Sequence, residues 1–341
     1  GNLNTAVGMN AGESVTTGIQ NTLIGGLAGD AITTANNNTA VGMDALSATT
    51  TGSSNVAISI NALGSNTTGG SNIAIGQDSL YANTTASNNT AVGHNAMVAN
   101  TTGLYNTASG AYALQANTTA NSNTAMGYLA LAANTTGHQN TALGGEAAAS
   151  VTTGLYNTIL GYKAGVYTTG LTTGNSNTLV GSYSRSTTVG SLAANVFGHD
   201  VAGAAEYTTI GYGAADIRAA HGIASWAAVS DERYKKDIVD STAGLSFINA
   251  LQPRTFKYKT LGELPETFNA YKADSTEVFK NSDTNHGFIA QEVKAAIDAD
   301  SGLKDGFRLW DDRDDGSQEV AEAALIPVLV KAIQELTARI E

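Results

Sequence analysis

A five-residue motif recurs every seventeen residues along the first half of this chain, and that interval constrains the fold more than any other feature. NTAVG beginning at Asn4 returns as NTLIG at Asn21, NTAVG at Asn38, NVAIS at Asn55, NIAIG at Asn72 and NTAVG at Asn89. The series continues at Asn106, Asn123, Asn140 and Asn157, then at Asn177 after a gap of twenty residues, with looser echoes in NVFG at Asn195 and TTIG at Thr208. A strict period of this length marks architectures in which each unit stacks only on its neighbours.

The clearest copy runs over residues 123–139. Thr124, Ala125 and Met126 read as a short strand, Gly127 as a bend, Ala130 and Leu131 as a second apolar strand, and NTTG as another turn. Gly suits a backbone at φ > 0, and Asn and Thr bond their own backbone at corners. The apolar runs are too short for helices. The reading is mainly β: two brief strands and two turns per repeat, one coil of a parallel β-solenoid, with Asn123, Asn140 and Asn157 stacked as a ladder. Ten coils at about 4.8 Å each would give a shaft of about 50 Å. The regular register is expected to end near residue 181, leaving 182–229 as a connecting cap region that includes Trp226.

Such coils bury mostly Ala, with an occasional Leu, Ile, Val or Met. Either they pack tightly on small side chains, or several chains share one core. NTTG matches a glycan acceptor but recurs here as turn chemistry. Tyr105, Tyr112, Tyr128, Tyr156 and Tyr162 either cover Ala-rich surface or offer faces on which sugars stack.

Charge divides the chain at residue 230. Residues 1–229 hold only eight of the 29 acidic and three of the 17 basic side chains. With a net charge of −12, the chain lacks the Lys and Arg needed to displace counterions from phosphates, and nucleic acid is excluded as a partner. It has no cysteine, hence no disulfide framework or thiolate zinc site. No apolar run approaches the eighteen or so residues that span a bilayer, so membrane insertion is not expected. DDRDDG at 311–316 places Arg313 where a calcium loop needs an oxygen ligand, and no Lys follows the glycines as a phosphate loop requires. No metal or cofactor is expected. The shaft has no repeated pair of acids for glycan cleavage. The chain opens on Gly1 in mid-pattern, as a fragment of a longer protein would.

The N-x-A-x-G core, as in SNIAIG at 71–76, resembles the head repeats of trimeric autotransporter adhesins. That resemblance implies a left-handed parallel β-roll shared by a homotrimer over residues 1–181.

From residue 230 the composition is that of an ordinary α+β domain. Ser230, Asp231, Arg233 and Lys235 in SDERYKK, GFIAQEV at 287–293 with Gln291 and Glu292, and AIQEL at 332–336 occur in that order. Together they resemble the C-terminal intramolecular chaperone domain of phage tail spikes and tail fibres, the S74 peptidase family. The family pattern commonly has leucine where this chain has Tyr234. The resemblance implies assembly of three chains followed by a single self-cleavage between Val229 and Ser230, with Ser230 as nucleophile and Lys235 as general base. Such a lysine needs desolvation or nearby positive charge to lower its pKa, and Arg233 and Lys236 are the adjacent cations. Ser230 also suits a helix N-cap, with Asp231 and Glu232 favourable beside it. His286 is read as structural.

The terminal helix, expected over about 320–341, spaces Ile326, Leu329, Ile333, Leu336 and Ile340 three and four residues apart, a heptad seam, with Pro327 tolerated near its start. That seam either pairs with other copies or folds back on its own domain. The functional expectation is the distal segment of a phage tail fibre or spike, located in the virion. It would bind a host-surface glycan or protein receptor and carry a self-cleaving chaperone. The alternative is a bacterial trimeric surface adhesin, extracellular, with a non-cleaving trimerisation domain.

Overall fold

A computed structural model describes residues 3–166, 170–222, 227–228, 232, 235–300, 303, 309–312 and 317–340. The chain forms two compact units, divided between Ser230 and Asp231.

The first unit is a β-solenoid. Its strands are β1 (Thr5–Val7), β2 (Thr22–Ile24), β3 (Thr39–Val41), β4 (Val56–Ile58), β5 (Ile73–Ile75), β6 (Thr90–Val92), β7 (Thr107–Ser109), β8 (Thr124–Met126), β9 (Thr141–Leu143), β10 (Thr158–Leu160) and β11 (Thr178–Val180). Each pairs in parallel with the next, Thr124 opposite Thr141 and Met126 opposite Leu143. The twenty-residue spacing leaves register intact, because Thr158 still faces Thr178. Residues expected to form a connecting region carry β12 (Arg185–Ser186), β13 (Asn195–His199), β14 (Ala202–Gly203), β15 (Tyr207–Tyr212), β16 (Ala215–Ala220) and β17 (Ala227–Ala228). β13 and β15 extend the parallel ladder, and β16 and β17 close it antiparallel in one fifteen-stranded sheet.

Each coil from β1 to β10 holds one strand, not the two expected; a second strand appears only in the last coils, where β12 pairs in parallel with β14. Ala130 and Leu131 lie in turns, and Leu131 sits at φ 51. Left-handed backbone costs a leucine about 1 kcal/mol or more. Hydrogen bonding between coils offsets that cost: Leu131 N–H donates to Ala147 O at 3.0 Å and Thr135 N–H to Thr152 O at 2.9 Å, so the ladder continues through the corners.

The core closes within one chain. In the 123–139 coil, Asn123, Ala125, Ala130, Leu131 and Asn134 are all fully buried. The tight-packing alternative therefore describes the shaft, and small side chains suffice because two Asn columns fill the section. Asn123 N–H donates to Asn106 Oδ1 at 2.9 Å, and Asn123 Nδ2 donates to Gly137 O at 2.8 Å. The NTTG asparagines form a second column, with Asn117 Nδ2 donating to Asn100 Oδ1 at 2.7 Å. Burial of these side chains removes them as glycan acceptors in the folded chain. Where a coil departs from the consensus, volume is conserved: Gly29 replaces the core leucine, and Leu23 and Ile32 fill the space.

The second unit contains α1 (Leu245–Ala250), β18 (Arg254–Phe256), β19 (Asn285–Gly287), α2 (Ala290–Ala299), β20 (Trp310–Asp312), β21 (Gln318–Val320) and α3 (Leu325–Ile340). Its core joins Phe247 and Leu251 to Val293, Ile297, Leu309, Leu325 and Val328. No helix among the described residues is long and apolar enough to cross a membrane.

Candidate functional site

Ser230, Asp231, Arg233, Tyr234 and Val229 lie outside the described residues. Lys235 is described: it is exposed, and its N–H donates to Glu232 O at 2.9 Å. The expected bond of cleavage, Val229 to Ser230, lies one residue from the boundary between the two compact units.

The remaining motif residues have defined structural roles. Arg254 of β18 forks onto Glu292 of α2, with Nε 2.9 Å from Oε2 and Nη2 2.6 Å from Oε1. This pair ties QPRTFKY to GFIAQEV across β18 and β19, which are antiparallel with Arg254 opposite Gly287. The hydrogen bond from Arg254 holds the Glu292 carboxyl below its ordinary value; desolvation opposes this, and the Arg254 charge adds a smaller lowering. The same bond raises Arg254. Gln291 is exposed at the start of α2. Sequence reasoning named Glu292 but missed Arg254, which stands in QPRTFKY at 252–258.

A lowered carboxyl pKa contributes stability that is present above the unfolded value of about 4.3 and is lost as pH falls through the folded value. Between pH 5 and pH 3 the second unit is therefore expected to lose more stability in the native chain than in Glu292→Gln. Hydrogen exchange of the β18 and α2 amides in the full chain measures this, and parallel pH curves would contradict the assignment.

AIQEL also acts in packing. Glu335 Oε2 accepts the Leu245 N–H at 2.9 Å, so α3 supplies an acceptor at the start of α1. A Cβ on Gly244 would lie 2.5 Å from Glu335 Oε1, so a side chain there would have to push this carboxylate off its place at α1. Ala332 is buried beside it, together with Leu325 and Val328. The heptad seam faces the other way: Ile326 (62% exposed), Ile333 (61%) and Leu336 (44%) point to solvent. Folding back of this seam onto its own domain is thus not what the unit does. His286 is exposed, with Nδ1 3.3 Å from Thr255 Oγ1. Asp311 and Asp312 are strand residues opposite Glu319 and Gln318, and 313–316 lie outside the described residues.

On the shaft, Tyr105, Tyr128, Tyr156 and Tyr162 are exposed. Asn121, Ser122, His138, Gln139, Leu155 and Tyr156 line an open groove of about 320 Å³. His138 Nδ1 accepts the Asn121 N–H at 2.8 Å, which places the proton of the neutral ring on Nε2.

Residues 230–301 match the family model described as chaperone of endosialidase, Peptidase_S74. The match begins on Ser230 and stops before α3. No curated protein and no solved structure matches the chain.

Proposed function

We propose that this chain is the distal segment of a tail fibre or spike that attaches a phage to its host, and that its second unit is an intramolecular chaperone that cuts itself away. The observation that carries the reading is a chaperone-of-endosialidase match starting on Ser230, immediately after a stack of near-identical coils. Those coils create a register problem. Any one pairs almost equally well with several others, and chains aligned one coil out of step would expose sheet edges. A C-terminal domain that gathers three chains first sets the register, and the shaft then zips toward residue 1. The solvent-facing seam of α3 supports such gathering.

Cleavage follows as an acyl shift. Ser230 Oγ attacks the Val229 carbonyl carbon while Lys235 takes the hydroxyl proton; the C–N bond breaks and the proton passes to the Ser230 amine. Water then hydrolyses the Val229 ester, giving a free carboxylate and restoring the Ser230 hydroxyl. Each chain turns over once. With its template removed, the assembled shaft unfolds slowly and cannot readily reassemble, so its persistence is kinetic. The aromatic-edged groove at Tyr156 is where a host sugar would stack. The virion is the expected location.

A denaturing gel tests the reading. Native protein should give two products, residues 1–229 and 230–341, and Ser230→Ala and Lys235→Ala should each give one band of 34.7 kDa. A single native band in assembled material would favour a non-cleaving bacterial surface adhesin.

A further inference from the structure

The solenoid leaves an apolar row on its outside. Strand residues alternate across the sheet, so the middle residue of each repeat strand points into the core and the third points out. Ala125 is fully buried, whereas Met126 is 45% exposed. Ile24, Ile58, Ile75 and Leu143 occupy the same place on their own rungs, each more than a third exposed. Parallel register stacks these side chains directly, Ile58 on Ile75 and Met126 on Leu143. From β1 to β15 along the main sheet, every rung carries an apolar residue there except β7, which has Ser109. Met43 and Tyr128, also exposed, widen the row across the glycine bend.

We infer that this outer strand face is the surface on which copies of this chain meet along the shaft, parallel and in register. The inference rests on the reading of the chain as an assembled fibre and adds the face that assembles. Three features select a second copy as the occupant. The first is period: from β1 to β15 an apolar side chain recurs about every 4.8 Å on all rungs but β7, and a partner satisfies them all only with the same rung spacing, which another copy has. The second is area. A row about 60 Å long and about 10 Å wide presents about 600 Å², at the upper end of what monomers leave exposed and near the roughly 800 Å² per partner of a stable interface. The third is charge. Although the chain carries a net −12, no Asp, Glu, Lys or Arg occurs in β1 to β11, β13 or β15, and depletion of charge marks interface centres. Because the core is already closed within each chain, this face and not a common interior would hold the shafts together.

The chain has no cysteine, so one introduced thiol reports its own surroundings. Ile75→Cys, in the full-length Ser230→Ala chain, places a thiol on the row. Thr85→Cys places one on an exposed corner away from the strands. With a short bismaleimide, Ile75→Cys should give covalently joined chains as the main product, and Thr85→Cys should remain single chains. Light scattering on the same samples gives the mass in solution. An oligomer in which Ile75→Cys fails to cross-link, or in which Thr85→Cys cross-links equally well, overturns the assignment of the face while leaving assembly intact. A monomeric mass overturns the assembled reading itself and this inference with it.

Discussion

Gly127→Ala is expected to lower the stability of the shaft by about 3 kcal/mol, more than any surface substitution of similar size. Two independent costs meet at this position. Gly127 has φ 136, a region nearly closed to side-chain-bearing residues, where strain is about 1–3 kcal/mol. A Cβ there would also stand 2.4 Å from Gly144 O and 2.6 Å from Gly144 C in the next coil. These are backbone atoms held by the ladder, with no flexible side chain to yield. The repeat supplies its own control. Ser59 occupies the equivalent place at φ 111, between Gly42 at 137 and Gly76 at 128, so one rung has accepted a Cβ by twisting. Ser59→Gly should relieve that strain and stabilise the shaft by about 1 kcal/mol. Urea unfolding of the full chain reads both changes, and hydrogen exchange places the first in the 123–139 coil. Equal midpoints for native protein and Gly127→Ala would show that neighbouring coils move apart freely, contrary to a hydrogen-bonded stack.

Period and corner chemistry made the solenoid readable without coordinates. Seventeen residues with one invariant Asn imply stacking, and the predicted Asn123, Asn140, Asn157 ladder is present. What was not readable was conformation imposed by the stack. Nothing local marks Leu131 for left-handed backbone, since its own preference opposes it; only Ala147 O, one coil away, makes that backbone favourable. NTTG likewise reads as a solvent-facing turn, yet its Asn is buried because the column of neighbouring amides satisfies it. The closing of the core within one chain was not readable for the same reason, as polar columns occupy volume that a count of apolar side chains omits. In the second unit, motif order was legible from residue types. The pairing of Arg254 with Glu292 lies 38 residues apart in sequence and depends on β18 meeting β19, which no local pattern announces.

The asparagine columns carry the other large effect, and their geometry separates hydrogen bonding from packing. Asn123→Ala removes the acceptor of the Asn140 N–H (2.9 Å) and a second acceptor of Asn140 Nδ2 (3.2 Å). Asn140 Nδ2 keeps Gly154 O at 2.8 Å, and Gly137 O keeps Asn134 Nδ2 at 3.0 Å. The substitution therefore leaves one backbone N–H buried without a partner, at a cost of about 1–3 kcal/mol, beyond what the lost volume costs. Asn134→Ala deletes the same atoms from an equally buried site, but Asn134 ends its column. Its Oδ1 has no partner, and Val151 follows where the next Asn would stand. That change orphans no backbone N–H, but it takes the donor (3.1 Å) from the buried Asn117 Oδ1. Both variants should therefore destabilise by about 1–3 kcal/mol beyond the lost volume in urea unfolding, and they differ in place: the Asn140 amide loses most of its exchange protection in Asn123→Ala alone. An Asn140 amide that stays protected in Asn123→Ala would mean that the column acts as filler, in which case Leu would serve as well as Asn and the invariance of the motif along the shaft would have no basis in its hydrogen bonds.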